Sequence, residues 1–203
     1  MRLAHQSISR RTAMRCLAAV SLATPLHAFA QAAGPLDRAS DLLAKCKAVI
    51  TQFKPTRTDK AVVCDYSQPS NLKRLYIFDF INGAVSTHLV SHGRGSDRDD
   101  TWTPRGFNGV EGSNTSIIGA MVGAERYNGD HGSSLRLDGL EPDSILARPR
   151  EIVVHTAPYM EAPFIAEHKR PGRSFGCFVV QGAVLEEVIA ALENGGLLLS
   201  VGN

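Results

Sequence analysis

The chain has 203 residues, 43% of them hydrophobic, with 22 basic and 20 acidic side chains and a formal charge of +2. Residues 1–30 hold four Arg and no acid, so the rest carries a formal charge of −2 and shows no basic patch of the kind that takes nucleic acid. Such a length suits one domain with a sizeable core, and no repeat or low-complexity tract argues for a fibrous or solenoid chain.

Residues 1–30 read as an export signal rather than as fold. Arg2, Arg10, Arg11 and Arg15 form a basic start, and 16–26 is apolar but shorter than the roughly 18 residues a membrane span needs. Ala28-Phe29-Ala30 fits a small-x-small cleavage site, which starts the mature chain near Gln31. Ser9-Arg10-Arg11 fits a twin-arginine signal and equally the basic start of an ordinary secretory one. Either route leads to the periplasm or cell envelope, with no stable membrane insertion after cleavage.

Residues 31–58 read as an N-terminal helix and linker, and 59–203 as the main domain. Leu36, Ala39, Leu43, Cys46, Ile50 and Phe53 recur at helical spacing, and Lys54-Pro55 stops that helix. The period then changes. The segments 61–66, 72–80 and 84–92 are short apolar or alternating runs, and Asn82-Gly83 between the last two is a strong hairpin signal. From 93 to 132 the composition is that of a loop, rich in Gly, Ser, Asn and Asp, with 116–122 as a strand inside it. Further strands are expected at 134–137, 151–156 and 177–180, the last two side by side in the core. Val184, Leu185, Val188, Ile189 and Leu192 mark a second helix ended by Asn194-Gly195-Gly196, and 197–201 is a last strand. The expected fold is mainly β, a curved sheet or sandwich with a helix near each end.

Three cysteines remain after removal of the signal: Cys46, Cys64 and Cys177. An odd count in an oxidising compartment leaves one thiol over, and the simplest division pairs Cys46 with Cys64; the alternative is two plain buried thiols. No C-x-x-C spacing or histidine pair suggests a metal, and no cofactor motif is present.

Cys177 follows Arg173-Ser174-Phe175-Gly176, a small-residue turn, and His155 ends the run Ile152-Val153-Val154. A thiol becomes a strong nucleophile as thiolate, and a nearby imidazole is the usual means. Small residues beside it leave room for a substrate carbonyl and for backbone N–H groups that hold an oxyanion. Cys177 is therefore the candidate nucleophile and His155 the candidate base. His131, in Gly129-Asp130-His131-Gly132, either lines the cleft or sits in a turn, and His92, in Ser91-His92-Gly93, is similar.

These residues carry a resemblance. The segment from Tyr127 to Glu141, Ala147-x-x-Arg150, Ile152-Val153-Val154-His155 and Gly172-Arg173-Ser174-x-Gly176-Cys177 resembles, block by block and in order, the YkuD-type L,D-transpeptidases, in particular the murein catalytic-domain-like branch. The resemblance covers about residues 60–200. It implies a mainly β catalytic domain and a cofactor-free cysteine acyltransferase working on peptidoglycan stem peptides. It further implies that the Thr156 backbone carbonyl orients His155, and that Gly176, Ser174, Arg173, Tyr127 and His131 form the oxyanion and substrate-binding surroundings. Phe175 stands where many relatives have His, Phe178 where many have Pro, and Val179 and Val180 replace polar residues often found there. The acceptor is left open between an amine and water. Other cysteine amidases or peptidases, and a wall-binding protein with a degenerate site, are the competing classes.

Overall fold

The computed structural model describes residues 35–203; the expected export signal lies outside the described residues. Eight strands form one sheet: β1 (Lys60–Asp65), β2 (Leu75–Asp79), β3 (Ala84–His88), β4 (Gly119–Gly129), β5 (Gly132–Gly139), β6 (Val153–Thr156), β7 (Phe178–Val180) and β8 (Leu197–Val201). Three helices accompany it: α1 (Pro35–Phe53), α2 (Ala162–His168) and α3 (Gly182–Leu192). The strand order is β3-β2-β1-β8-β4-β5-β6-β7, with β1–β8 and β6–β7 parallel and the other pairs antiparallel.

The period-two alternation of strands assigns the two faces. One face carries Val62, Cys64, Leu75, Ile77, Met121, Leu135, Leu137, Val154, Phe178, Val180 and Leu198, packed against Leu185, Val188, Ile189 and Leu192 of α3. The other carries Ala61, Val63, Tyr76, Phe78, Ala120, Leu197 and Leu199, packed against Leu42, Cys46 and their helical neighbours on α1. α1 reaches only one half of this second face. It is pinned there by Arg38, whose guanidinium grips the buried Asp65 carboxylate at 2.7 and 2.5 Å. Burial raises the Asp65 pKa, but the bonds from Arg38, Ser67 and Gln68 outweigh it and leave the carboxyl below its ordinary value.

The sheet nearly closes on itself. After β3 the chain runs on past Leu89 to Gly93, and the Ser91 N–H donates to the Val179 carbonyl of β7 at 2.9 Å. The two ends of the strand order are thereby bridged, and the curved-sheet form of the expected architecture is the one adopted. The continuous run expected over 84–92 was seeing both the strand and this bridging segment.

Two local expectations need correction, and one open alternative is decided. α2 went unread, because seven residues do not show a helical period. β4 runs to Gly129, well past the strand expected at 116–122. Its far half is an exposed ribbon containing a bulge between Gly123 and Arg126, so polar residues replace the alternation there. The disulfide between Cys46 and Cys64 is absent: both are free and buried. They pack on opposite faces of the sheet, Cys46 on α1 against Ala61 and Val63, and Cys64 among the α3-side residues. Burial pushes both thiols up to about 12. Alkylation of the unfolded protein without reductant is accordingly expected to label both cysteines. A disulfide-linked pair of peptides in the digest would contradict this arrangement.

Candidate functional site

The half of the second face not covered by α1 belongs to β5, β6 and β7. On the parallel pair β6–β7, Val154 lies opposite Phe178 and His155 opposite Val179. Val154 and Phe178 point to the α3 core, so His155 and Val179 point the other way. Cys177, one residue before β7, packs with Val179, Tyr159, Ala157 and Met160 on that same side. The candidate base on β6 and the candidate nucleophile just before β7 thus share one face, flanked by the 3-10 turn Pro158–Met160.

His155 is 3% exposed, and its Nδ1 lies 2.8 Å from the Thr156 carbonyl. A carbonyl only accepts, so Nδ1 carries the proton and Nε2 presents a lone pair. Burial lowers the His155 pKa first, the Thr156 carbonyl raises it and the His131 charge lowers it, leaving it below its ordinary value. The ring is neutral at pH 7. His131 both sits in the turn between β4 and β5 and stacks its exposed ring on His155, with centroids 4.2 Å apart.

Cys177 is half-buried, and its Sγ lies 3.7 Å from the Glu151 carbonyl. Burial raises the thiol pKa, while the N–H groups of Val153 and of Cys177 itself and the Arg150 charge pull it down; the net shift is upward. The histidine nearby therefore does not make Cys177 a resting thiolate. A neutral imidazole supplies no positive charge to hold one.

The turn before Cys177 is rigidly specified. Gly176 has φ +129°, and an added Cβ would meet Ile152 Cδ1 and the Thr115 carbonyl oxygen, both at 2.7 Å. Ser174 Oγ accepts from the Gly176 N–H at 3.1 Å and donates to the Cys177 carbonyl at 2.8 Å. The Gly176 N–H is therefore committed within the turn, which leaves the Cys177 N–H as the better candidate donor to an oxyanion. Ser174 N–H donates to the His92 carbonyl and Arg94 N–H to the Ser174 carbonyl, each at 2.9 Å.

The remaining expected residues divide. Arg173 donates to the Asp97 carbonyl at 2.6 Å and pairs with Asp100 at 3.3 Å, so it has a structural task. Tyr127 lies under the Arg136 guanidinium, 4.5 Å from its ring centroid, and Arg136 also pairs with Glu125. His92 is fully buried, away from the cleft, with Nδ1 2.8 Å from Arg74 and Nε2 3.3 Å from Asp97. Burial first, then the Arg74 charge, pushes His92 down to about 3. Phe178 is a core residue, whereas Phe175 is 61% exposed beside the turn.

Sequence reasoning missed Arg150 as a part of the site. Its Nη2 donates to the Thr115 carbonyl at 2.9 Å and its Nη1 to the Asn108 carbonyl at 3.0 Å, which wedges the guanidinium beneath Gly176. The signal for it was the Ala147-x-x-Arg150 block. The buried Arg74–His92–Asp97 array left no sequence signal, since no motif joins its members and only burial brings Arg74 to His92.

The family description "L,D-transpeptidase catalytic domain" matches residues 39–200. No curated protein matches the chain. Among solved structures, an L,D-transpeptidase from Mycobacterium smegmatis is 10% identical over 71% of this chain and 59% of its own, with a TM-score of 0.42. L,D-transpeptidase 1 of Mycobacterium tuberculosis is 15% identical over 70% of this chain and 62% of its own, with a TM-score of 0.40. An L,D-transpeptidase from Stackebrandtia nassauensis is 15% identical over 84% of this chain and 68% of its own, with a TM-score of 0.42. The chain spans less than two thirds of the length of both mycobacterial structures.

Two outcomes are expected of this geometry. Gly176→Ala should lower stability by about 1–3 kcal/mol through backbone strain and slow alkylation of Cys177 by displacing it. Unchanged unfolding and unchanged labelling would show that the turn tolerates a side chain. The second concerns pH. Burial and the His131 charge disfavour the His155 cation, so its NMR titration midpoint should fall below about 6.5. Cys177 alkylation should accelerate with a midpoint above the ordinary cysteine value of about 8.5. A histidine midpoint above 6.5 together with a thiol midpoint below 8.5 would indicate a resting ion pair instead.

Proposed function

Because this chain belongs to the L,D-transpeptidase catalytic-domain family, we propose that it is an exported cysteine acyltransferase that forms a thioester on Cys177 from a peptidoglycan stem peptide. The observation that carries this reading is the pairing of β6 with β7. It sets His155, with Nδ1 held on the Thr156 carbonyl, on the same face as the half-buried thiol. Residues 1–30 support export to the periplasm or cell envelope.

The steps follow from the protonation states. His155 Nε2 takes the thiol proton as Sγ attacks the donor carbonyl, so the thiolate exists only as the C–S bond forms. The carbonyl π pair moves to oxygen, where the Cys177 N–H stabilises it. Collapse of the tetrahedral species breaks the C–N bond, and the departing D-residue amine takes the proton from His155. The thioester keeps much of the amide's free energy, so no nucleotide is needed. An acceptor amine, or water, attacks the thioester and gives its proton to His155. Collapse expels the thiolate, which recovers that proton, and the acyl group is left on the acceptor.

Intact mass after incubation with a stem tetrapeptide is expected to show one acyl group per chain, absent from Cys177→Ala. His155→Ala should slow acylation by about 10²–10⁴-fold with the fold retained. Counting cross-linked against hydrolysed products separates an amine acceptor from water. No adduct on Cys177 with intact stem binding would favour a wall-binding protein with a degenerate site.

A further inference from the structure

On the far side of the nucleophile turn lies a pocket of about 290 Å³ lined by Arg94, Phe164, His168, Arg170, Gly172 and Arg173. Three arginines line it. Asp100 pairs with two of them, Arg170 at 2.6 Å and Arg173 at 3.3 Å. Arg94 is exposed and has no carboxylate partner among the described residues; its guanidinium rests on the Phe175 ring, 4.3 Å from the centroid. Arg170 Nη1 is buried with no hydrogen-bond partner. One carboxylate thus serves two of the three lining arginines, and a buried guanidinium N–H lacks an acceptor. An unmet charged donor is costly, and an incoming anion with two oxygens would relieve it.

The pocket adjoins the site directly. The Arg94 backbone N–H holds the Ser174 carbonyl, and Phe175 joins Arg94 to the residues that flank Cys177. Gly172 backs onto Tyr159, which packs against Cys177, and a Cβ there would come within 2.7 Å of the Tyr159 Cβ. Gly176 alone separates Phe175 from Cys177, so their Cα atoms are at most roughly 7 Å apart.

We infer that this pocket binds a free carboxylate of a peptidoglycan stem peptide, with Arg94 and Arg170 as its donors and Phe175 as the platform that aims Arg94. The inference rests on the acyltransferase reading for the identity of the ligand, though not for the presence of the anion site. The carboxylate belongs either to the donor stem or to the acceptor stem.

The test compares stems with free carboxylates and the same stems amidated, on the wild-type chain, Arg94→Gln, Arg94→Lys and Arg170→Gln. For Arg94→Gln, KM for the free-carboxylate stem should rise about tenfold, equivalent to one charged contact, with kcat little changed, amidated stems unaffected and partial rescue by Arg94→Lys. Slower acylation with donor alone assigns the carboxylate to the donor. An effect confined to transfer onto an added amine stem assigns it to the acceptor. Equal losses on free and amidated stems, or no change in Arg94→Gln or Arg170→Gln while turnover persists, overturn the pocket and leave the function standing. Calorimetry on Cys177→Ala with the same stems separates the two failures. Arg94-dependent binding of the free-carboxylate form, without acylation in the wild type, would sustain the pocket and sink the acyltransferase reading.

Discussion

The hydrogen bond from the Ser91 amide to the Val179 carbonyl closes the seam between the first and last strands of the sheet order, and the site is built into that seam. β7 has only three residues, too few to hold a position on its own pairing with β6. The returning segment Ser91–Arg94 grips it from the other side and then grips Ser174 twice, through the His92 carbonyl and the Arg94 amide. Gly93 lies so close to the 114–116 backbone that a Cβ would meet the Asn114 carbonyl oxygen at 2.3 Å. Three loop segments are thereby stacked in van der Waals contact, and the Cys177 turn is one layer of the stack.

Behind the seam lies a buried charged array. Arg74, fully buried, donates to the Val90 and Gln68 carbonyls and to His92, and His92 leads on to Asp97. Burying a guanidinium is tolerable only when its donors are satisfied and a counter-charge is near. Here the acceptors are mainly carbonyls of the closing segment, so the desolvated charge organises the backbone beside the site. His92 accepts from Arg74 at Nδ1 and must donate from Nε2 to Asp97, which fixes its tautomer and its neutrality.

Burial shapes the front of the site in the same way. It keeps His155 unprotonated and Cys177 protonated, so the resting pair is imidazole and thiol. A neutral thiol is a poorer target for oxidation than a thiolate, so the same burial protects the half-buried cysteine. The α1 helix contributes by what it leaves uncovered. It fills the second face over β1 and β8, held by the Arg38–Asp65 pair, and stops short of β5–β7, where His155 and Cys177 emerge.

Local signals in the sequence determined most of the elements, because amphipathic periods and turn residues act within a few positions. α1, the Asn82-Gly83 hairpin, the β6–β7 pair, α3 and β8 all follow from such signals, and the same signals mark Cys177 and His155 as candidates. What needed the tertiary structure were the relations between distant segments. Cys46 and Cys64 differ in which face of the sheet they meet, and only the packing of α1 on odd-numbered β1 residues decides that they cannot bond. His131 reads as a turn residue until the β4–β5 hairpin folds over β6 and lays its ring on His155. Arg173 looked free for substrate until Asp97 and Asp100 came to meet it, while Arg94 and Arg170, unmarked in the sequence, became a charged pocket beside the nucleophile turn. Protonation states belong to the same category. A pKa depends on desolvation and on charges brought close by folding, so the candidate residues were legible in the chain and their resting charges were set by the fold.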